Sequence, residues 1–462
     1  MMKLKVNAVF DIGRTNKKFF LFDRDYQEVY REYISFQKIV DEDGYPTEDI
    51  EAIVNWSKEV FDRMLNSSDY NIQTLNFSCY GASLVHIDES GKILTPMYNY
   101  MKPLPEEISD SFYDKYGPED ELSRVTGSLK LGMLNTGMHL YWLKHTRPEI
   151  FKKVKYSLHL PQYLSYVFTG VPVSEYSSIG CHTMLWDYGK KGYHAWVYKE
   201  KIDEKFPPIA ATNKALKITY KQKEIKMGIG IHDSSSALLP YVRSIKERFI
   251  LVSTGTWSIA MNPISDQLLT EEDIQNDCLN YMRINGKPVK SARLFLGNEY
   301  SLQITKLSKY FNVPEGYHKT VSFDQETYFE LIKDFEYMYK WESFADKDMP
   351  QSTQVPFDKF EHAYHQLMIE LVLLQVKCID IAAEGTAVEK LYVDGGFSDN
   401  DVYIQLLSHY QRNVQLMTTD SSLGSALGAA IVISDAKLNP KFLKKNYALK
   451  SHSPFSWSIG LQ

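Results

Sequence analysis

The segment Asp11-Ile12-Gly13-Arg14-Thr15-Asn16-Lys17-Lys18 joins two apolar runs and has the makings of a phosphate site. Gly13 lets backbone approach an anion closely, Thr15 and Asn16 supply donors, and Lys18 supplies positive charge. Asp11 can take a magnesium ion, directly or through water. The same residues also make an ordinary polar hairpin turn. A second segment, Ser253-Thr254-Gly255-Thr256-Trp257-Ser258, repeats the arrangement, with small hydroxyls and a glycine at the end of an apolar run. In a third, Val393 to Asn400, Gly395 and Gly396 offer bare backbone against which an adenine ring or ribose could lie flat. Its alternative reading is a plain strand-to-helix turn capped by Ser398 or Asp399. The fourth, Gly228 to Ala237, sets Asp233 at the start of a helix beside His232. Transfer of a phosphoryl group to an alcohol needs a carboxylate to take the hydroxyl proton, and Asp233 could serve. A helix N-terminus would hold that carboxylate ionised at some cost in basicity. In isolation, Asp233 reads as an N-cap and His232 as a packed core histidine.

The elements that must position these residues follow from periodicity. The spacing predicts a meander of three strands, Val6 to Phe10, Phe19 to Phe22 and Glu28 to Ile34. The run FILVS, the turn Gly255-Thr256 and WSIAM repeat that grammar, so Asp11-Ile12-Gly13 lies over Ser253-Thr254-Gly255. Two glycine turns opening two halves predict a duplicated fold, divided near Tyr241 to Arg248 into domains 1–244 and 245–462. Helical spacing is clear in Ile50 to Leu65, Thr136 to His145, Leu158 to Phe168 and Glu361 to Ala383, with a buried strand at LYVD. The run Ser422 to Ala430 makes a small-residue helix face suited to close packing. Leu307 to Pro356 is polar, aromatic and irregular, and reads as an insertion or lid-like extension.

Bulk properties narrow the class. At 462 residues the chain can bury more than one core, which makes two domains the natural expectation. A formal net charge of −6 points away from nucleic acid, yet phosphate binding needs only a local cradle. Cys79, Cys181, Cys278 and Cys378 are too far apart for a zinc pattern or a dense disulfide framework, and are expected reduced. No stretch approaches the roughly 20 apolar residues of a membrane span, so a cytoplasmic protein without a membrane partner is expected.

Taken in order, these pieces resemble the FGGY family of carbohydrate kinases across essentially the whole chain. The pattern at Asp11 to Lys18 is similar to the family's first phosphate motif, STGTWS to its second, and GGFSDN with SSLGSALGAA to its adenosine region. Thr126-Gly127, Asn135-Thr136, LPQYLSYVFTG, SEYSS and HTMLWD look like landmarks of its N-terminal half, and His232-Asp233 resembles the pair carrying the base in its deoxyketose branch. The resemblance implies an α/β fold of two ribonuclease-H-like, actin-like ATPase domains around a central cleft. It implies ATP and Mg2+ as cofactors, and a kinase acting on a ketose hydroxyl, with a deoxyketose such as L-rhamnulose or L-fuculose leading. Xylulose, ribulose, gluconate or an actin-like ATPase without kinase activity are the alternatives, and the chain would be a monomer or homodimer. Asp233 becomes the general base and Asp11 a magnesium residue. Lys18, Gly13, Thr15, Asn16, Gly255 and Thr256 would hold phosphates, and Gly395, Gly396 and Asn400 would lie near adenosine. Tyr80, Gly81 and Ser83 would line the sugar pocket with His232 and Asp233. The chain departs from the family at Arg14, where many members have Thr, and at Lys18, where many have Arg and so a bidentate fork. It departs again at Ser83, where the branch has Asp.

Overall fold

The computed structural model describes residues 3–344, 357–420, 423–434, 438–439 and 441–456. Ser422 and the end of the irregular stretch, 345–356, lie outside the described residues.

The opening meander forms as β1 (Leu4–Ile12), β2 (Lys17–Phe22) and β3 (Glu28–Ile34). Helix α1 (Ile50–Leu65) leads into β4 (Tyr70–Cys79), which lies parallel to β1. Side chains of β1 alternate between two cores. Val6, Ala8, Phe10 and Ile12 pack with Trp56, Val60 and Phe61 of α1, while Val9 faces the opposite side. Helix α2 (Thr136–Thr146) forms where its periodicity predicts it, and α3 (Leu160–Thr169) starts two residues later than expected. Leu158 and His159 instead end a strand, Tyr156–His159, paired with Leu84–Ile87. Pro161 explains the shift, since proline suits a helix's first turn and not its interior. Strands β5 (Ala215–Tyr220), β6 (Lys223–Gly228) and β7 (Ile231–His232) complete a sheet ordered β5-β6-β4-β1-β2-β3, with β7 also lying along β4. Helix α4 (Asp233–Ser244) then leads out of this half.

The second half opens with β8 (Phe249–Thr254) and β9 (Ser258–Asn262), followed by β10 (Cys278–Met282), β11 (Pro288–Leu294) and α5 (Leu296–Tyr310). After α6 (Phe360–Ala383) come β12 (Lys390–Gly395), α7 (Asp401–Tyr410), β13 (Gln415–Thr418), α8 (Gly424–Val432) and β14 (Lys450–His452). The sheet order is β10-β11-β9-β8-β12-β13-β14. In both halves the first strand pairs antiparallel with the next and parallel with a strand reached through a helix. The duplication read from the two glycine turns is therefore a duplication of topology. Turn matches turn: the Gly13 N–H donates to the Asn16 carbonyl at 3.0 Å and the Gly255 N–H to the Trp257 carbonyl at 2.8 Å.

The described part of the irregular stretch is no loose extension. Tyr328, Tyr339, Trp341 and Phe344 are buried in the core of the second half, against α6. A separate core joins the halves. It holds Val9, Phe20 and Phe22 from the first sheet, Phe249 and Leu251 from the second, and Leu238, Leu239, Ala426, Ala429 and Ala430 from α4 and α8 between them. Among the described residues no helix is long and apolar enough to cross a membrane, and all four cysteines are buried.

Close packing of α4 on α8 depends on Gly428, where an added Cβ would sit 1.8 Å from the Ser236 carbonyl oxygen. Alanine is intrinsically the better helix residue by about 1 kcal/mol, so the contact and the propensity oppose each other. The contact should win: Gly428→Ala is expected to lose about 2 kcal/mol of stability in denaturant titration, because both helix backbones must part. Gly396→Ala, where nothing lies within 4 Å, should leave stability unchanged.

Candidate active site

Two carboxylates meet where the halves join. Asp11 is the next-to-last residue of β1, and Asp233 is the first residue of α4. Burial pushes the Asp11 carboxyl up to about 6, and the charge of Asp233 pushes the same way. A hydrogen bond from Ser425 and the charge of Lys18 oppose them. Lys18 is the register partner of Asp11 on β2, which explains its influence. The Asp233 carboxyl is likewise raised to about 6 by burial, against hydrogen bonds from the Ser234 backbone and hydroxyl. Desolvation thus outweighs the helix terminus, and Asp233 is more basic than an ordinary carboxylate. It is also not the N-cap. That position belongs to His232, which makes no side-chain capping bond. About a third of the Asp233 side chain, 35%, remains exposed.

His232 is held rigidly beside it. Its Nε2 lies 3.3 Å from Asp233 Oδ1 and 3.1 Å from Cys181 Sγ, its ring stacks on Tyr281, and burial lowers its pKa to about 3, so the ring is neutral. Its backbone N–H donates to Ser177 Oγ at 3.0 Å, and that hydroxyl donates to buried Glu175 at 2.8 Å. Gly81 lies against the same ring, where a Cβ would sit 2.9 Å from His232 Nε2. Sequence reasoning found Gly81, His232 and Asp233, and the fold brings them together. It marked Glu175 and Ser177 only as part of the SEYSS landmark, without a role, and it did not find Cys181 or Tyr281, which have no local signature.

Tyr80 and Ser83 lie to one side. With Arg14, Glu48, Tyr98 and Tyr100 they line a recess of about 10 Å³, room for a water but not for a sugar ring. Arg14 Nη1 donates to the Tyr100 hydroxyl at 2.9 Å, and its guanidinium lies 4.9 Å over that ring. Lys17 is buried in an ion pair with Glu48 and donates to the Arg14 carbonyl at 3.1 Å, so it is committed to holding the turn. Thr15 and Asn16 stand exposed at the tip of that turn.

Across the cleft, Gly255, Thr256, Gly396 and Asn400 line one cavity of about 520 Å³. Gly395 does not line it. With φ +81 and a Cβ position only 1.9 Å from the Thr254 carbonyl oxygen, Gly395 shapes the turn, while Gly396 faces open space. Asn400, rather than Ser398 or Asp399, caps α7: its Oδ1 accepts from the Tyr403 N–H at 3.0 Å and its Nδ2 donates to the Tyr364 hydroxyl at 2.8 Å. Tyr300, His318 and Lys319 complete the walls, and no motif marks them. Gly297 could have been read from the LFLGNEY turn: a Cβ there would lie 1.9 Å from the Gly255 carbonyl oxygen, so α5 packs closely against the Gly255-Thr256 turn.

Among the described residues no group of three or more His, Cys, Asp or Glu gathers into a self-sufficient metal cage. Asp11, with one oxygen committed to Ser425, fits a hard cation that takes one or two carboxylates and completes its shell with water and phosphate.

Residues 6–238 match the FGGY family of carbohydrate kinases, N-terminal domain, and residues 246–333 match the carbohydrate kinase FGGY, C-terminal domain. The chain belongs to the FGGY family of carbohydrate kinases. FGGY kinases use ATP as substrate. A rhamnulokinase of Oceanobacillus iheyensis is 24% identical over 48% of this chain and 48% of its own length. A rhamnulokinase of Halalkalibacterium halodurans is 24% identical over 64% of this chain and 65% of its own. The chain therefore spans between about half and two thirds of these relatives. The crystal structure of a carbohydrate kinase from Novosphingobium aromaticivorans superposes with a TM-score of 0.80 at 20% identity, covering 98% of this chain and 95% of that one. The fold is thus the two-domain, actin-like ATPase fold of FGGY sugar kinases.

Gly396 offers a direct probe of the cavity. In Gly396→Val a branched side chain would enter the open space, so ATP binding should weaken tenfold or more, an order-of-magnitude figure for lost fit, while thermal stability holds. Calorimetric titration with ATP checks this, and unchanged affinity would reduce the glycine pair to a structural turn.

Proposed function

We propose that the chain is an ATP- and Mg2+-dependent kinase that phosphorylates a hydroxyl of a ketose, with Asp233 as the general base. The observation that carries this reading is the half-buried carboxylate of Asp233 at the head of α4, made more basic by desolvation, set beside Asp11 and left partly open. Residues 1–244 would present the sugar and residues 245–462 the nucleotide. The adenosine would occupy the cavity of Gly396 and Asn400. The two glycine turns, with Gly13, Thr15, Asn16, Lys18, Gly255 and Thr256, would take the phosphates. A deoxyketose such as L-rhamnulose or L-fuculose is the favoured substrate, since the relatives above carry the name rhamnulokinase.

The chemistry follows from the residues. As the sugar oxygen bonds to the γ-phosphorus, its proton passes to an Asp233 oxygen, and the bond to the bridging oxygen breaks to leave ADP. A base whose pKa lies near 6 is ionised at neutral pH, yet holds a proton better than an exposed aspartate. Neutral His232 places no positive charge beside it, so Asp233 keeps that raised basicity. Bound at Asp11, Mg2+ would neutralise phosphate charge. Closing the cleft would exclude water as a competing acceptor.

Coupled ADP release with ketoses, aldoses and polyols, with and without Mg2+, tests this. Turnover should need both sugar and metal; equal turnover without any sugar would favour the ATPase reading. Asp233→Asn keeps the shape but not the basicity, so the sugar-dependent rate should fall about a hundredfold or more. Because Asp233 is not a cap, melting temperature should barely move. The base must be unprotonated, so in the wild type kcat/KM for sugar should rise with pH and level off above about 6. A soluble, active Asn variant sinks the assignment.

A further inference from the structure

Asp11 and Asp233 belong to different elements, β1 and α4, and no hydrogen bond between them is present. Ser425 of α8 hydrogen-bonds to both elements. Ser425, in the first turn of α8, donates its hydroxyl to Asp11 Oδ1 at 2.9 Å. Its own carbonyl oxygen accepts from the Ser236 hydroxyl of α4 at 2.6 Å. Three residues on, Gly428 brings the α8 backbone against the Ser236 carbonyl, so α8 has no freedom to slide along α4. Ser425 is therefore fixed to the helix that carries Asp233 and reaches from there to Asp11, 414 residues away in sequence.

We propose that Ser425 is a positioning residue that sets how Asp11 is presented beside Asp233. Its hydroxyl occupies one oxygen of the Asp11 carboxylate and fixes the plane of that group, leaving the second oxygen for a cation. Since α8 comes from the nucleotide side, the bond also makes the geometry of the carboxylate pair depend on how the halves sit together. This rests on the kinase reading above for the role of Asp11. The geometric claim, that removing the hydroxyl releases the carboxylate, does not.

Three proteins test it: wild type, Ser425→Ala and Ser425→Thr, each measured for sugar-dependent ADP release, Mn2+ binding by electron paramagnetic resonance in the presence of ADP, and melting temperature. Ser425→Ala should lower kcat and weaken Mn2+ binding, each about tenfold, as expected for a residue that orients a metal-binding carboxylate. KM for sugar and melting temperature should change little, and Ser425→Thr, which keeps the hydroxyl, should restore most of both losses. Wild-type kcat and Mn2+ affinity in Ser425→Ala overturn the proposal. So does a loss that tracks melting temperature and is not rescued by Thr, since that marks helix packing alone. If the wild type itself shows no sugar-dependent ADP release, the kinase reading fails instead, and the Mn2+ comparison still decides the role of Ser425.

Discussion

Everything in the cleft depends on two short helices crossing closely enough for backbone to touch backbone. Between the sheets, α4 and α8 pack through Ser236, Ala426, Ala429, Ala430 and Gly428, with no side chain at the tightest point. Tight interiors leave little room for rearrangement, so such a crossing acts as a fixed joint. Asp233 stands at the N-terminal end of one of these helices and Ser425 at that of the other. The strands that carry Asp11 and lead into the Gly255-Thr256 turn abut the same shared core through Val9, Phe249 and Leu251. A larger residue at the crossing would displace Asp233 and Ser425 together, and with Ser425 its bond to Asp11.

Electrostatics at the joint are governed by burial more than by helix ends. Burial pushes the carboxyls of Asp11 and Asp233 up to about 6, and the charge of Asp233 adds to the difficulty of ionising Asp11. His232 responds in the opposite sense to the same desolvation and stays neutral. The result is a pair of oxygen acceptors with little compensating charge from the protein. Such a site is suited to a cation brought in with a polyphosphate, and less to a permanently held metal.

The cavity of Gly396 and Asn400 shows how irregular chain can be made rigid. The backbone at 338–343 has no sheet partner, and two buried carboxylates take its N–H groups. Glu370 accepts from Met338 and Tyr339 at 2.8 and 3.2 Å, and Glu299 accepts from Glu342 and Ser343 at 3.1 and 2.6 Å. Burial lifts the Glu370 carboxyl to about 7 even so. These bonds stand in for the missing ladder, because a buried N–H left without an acceptor would cost about 1–3 kcal/mol. They anchor a region whose earlier part supplies His318 and Lys319 to the cavity wall.

The primary sequence by itself determined what is local. Apolar periodicity set the strands and the long helices, and the glycine turns revealed a repeated topology. The HD pair supplied a carboxylate able to take a proton, but on its own it read as a helix cap beside a packed histidine, and only the family resemblance turned it into a candidate base. The sequence misjudged Leu158 and His159, where helical spacing continued upstream of a helix that Pro161 starts, and the cap of α7, where Ser398, Asp399 and Asn400 are equally able side chains. Tertiary structure alone decided the rest. Which of Gly395 and Gly396 faces the cavity depends on the Thr254 carbonyl from another strand. The basicity of Asp233 depends on how much water the surrounding elements remove, which no window of sequence contains. The Ser425 link to Asp11 joins residues 414 positions apart, and only the crossing of α4 and α8 brings them within hydrogen-bonding reach.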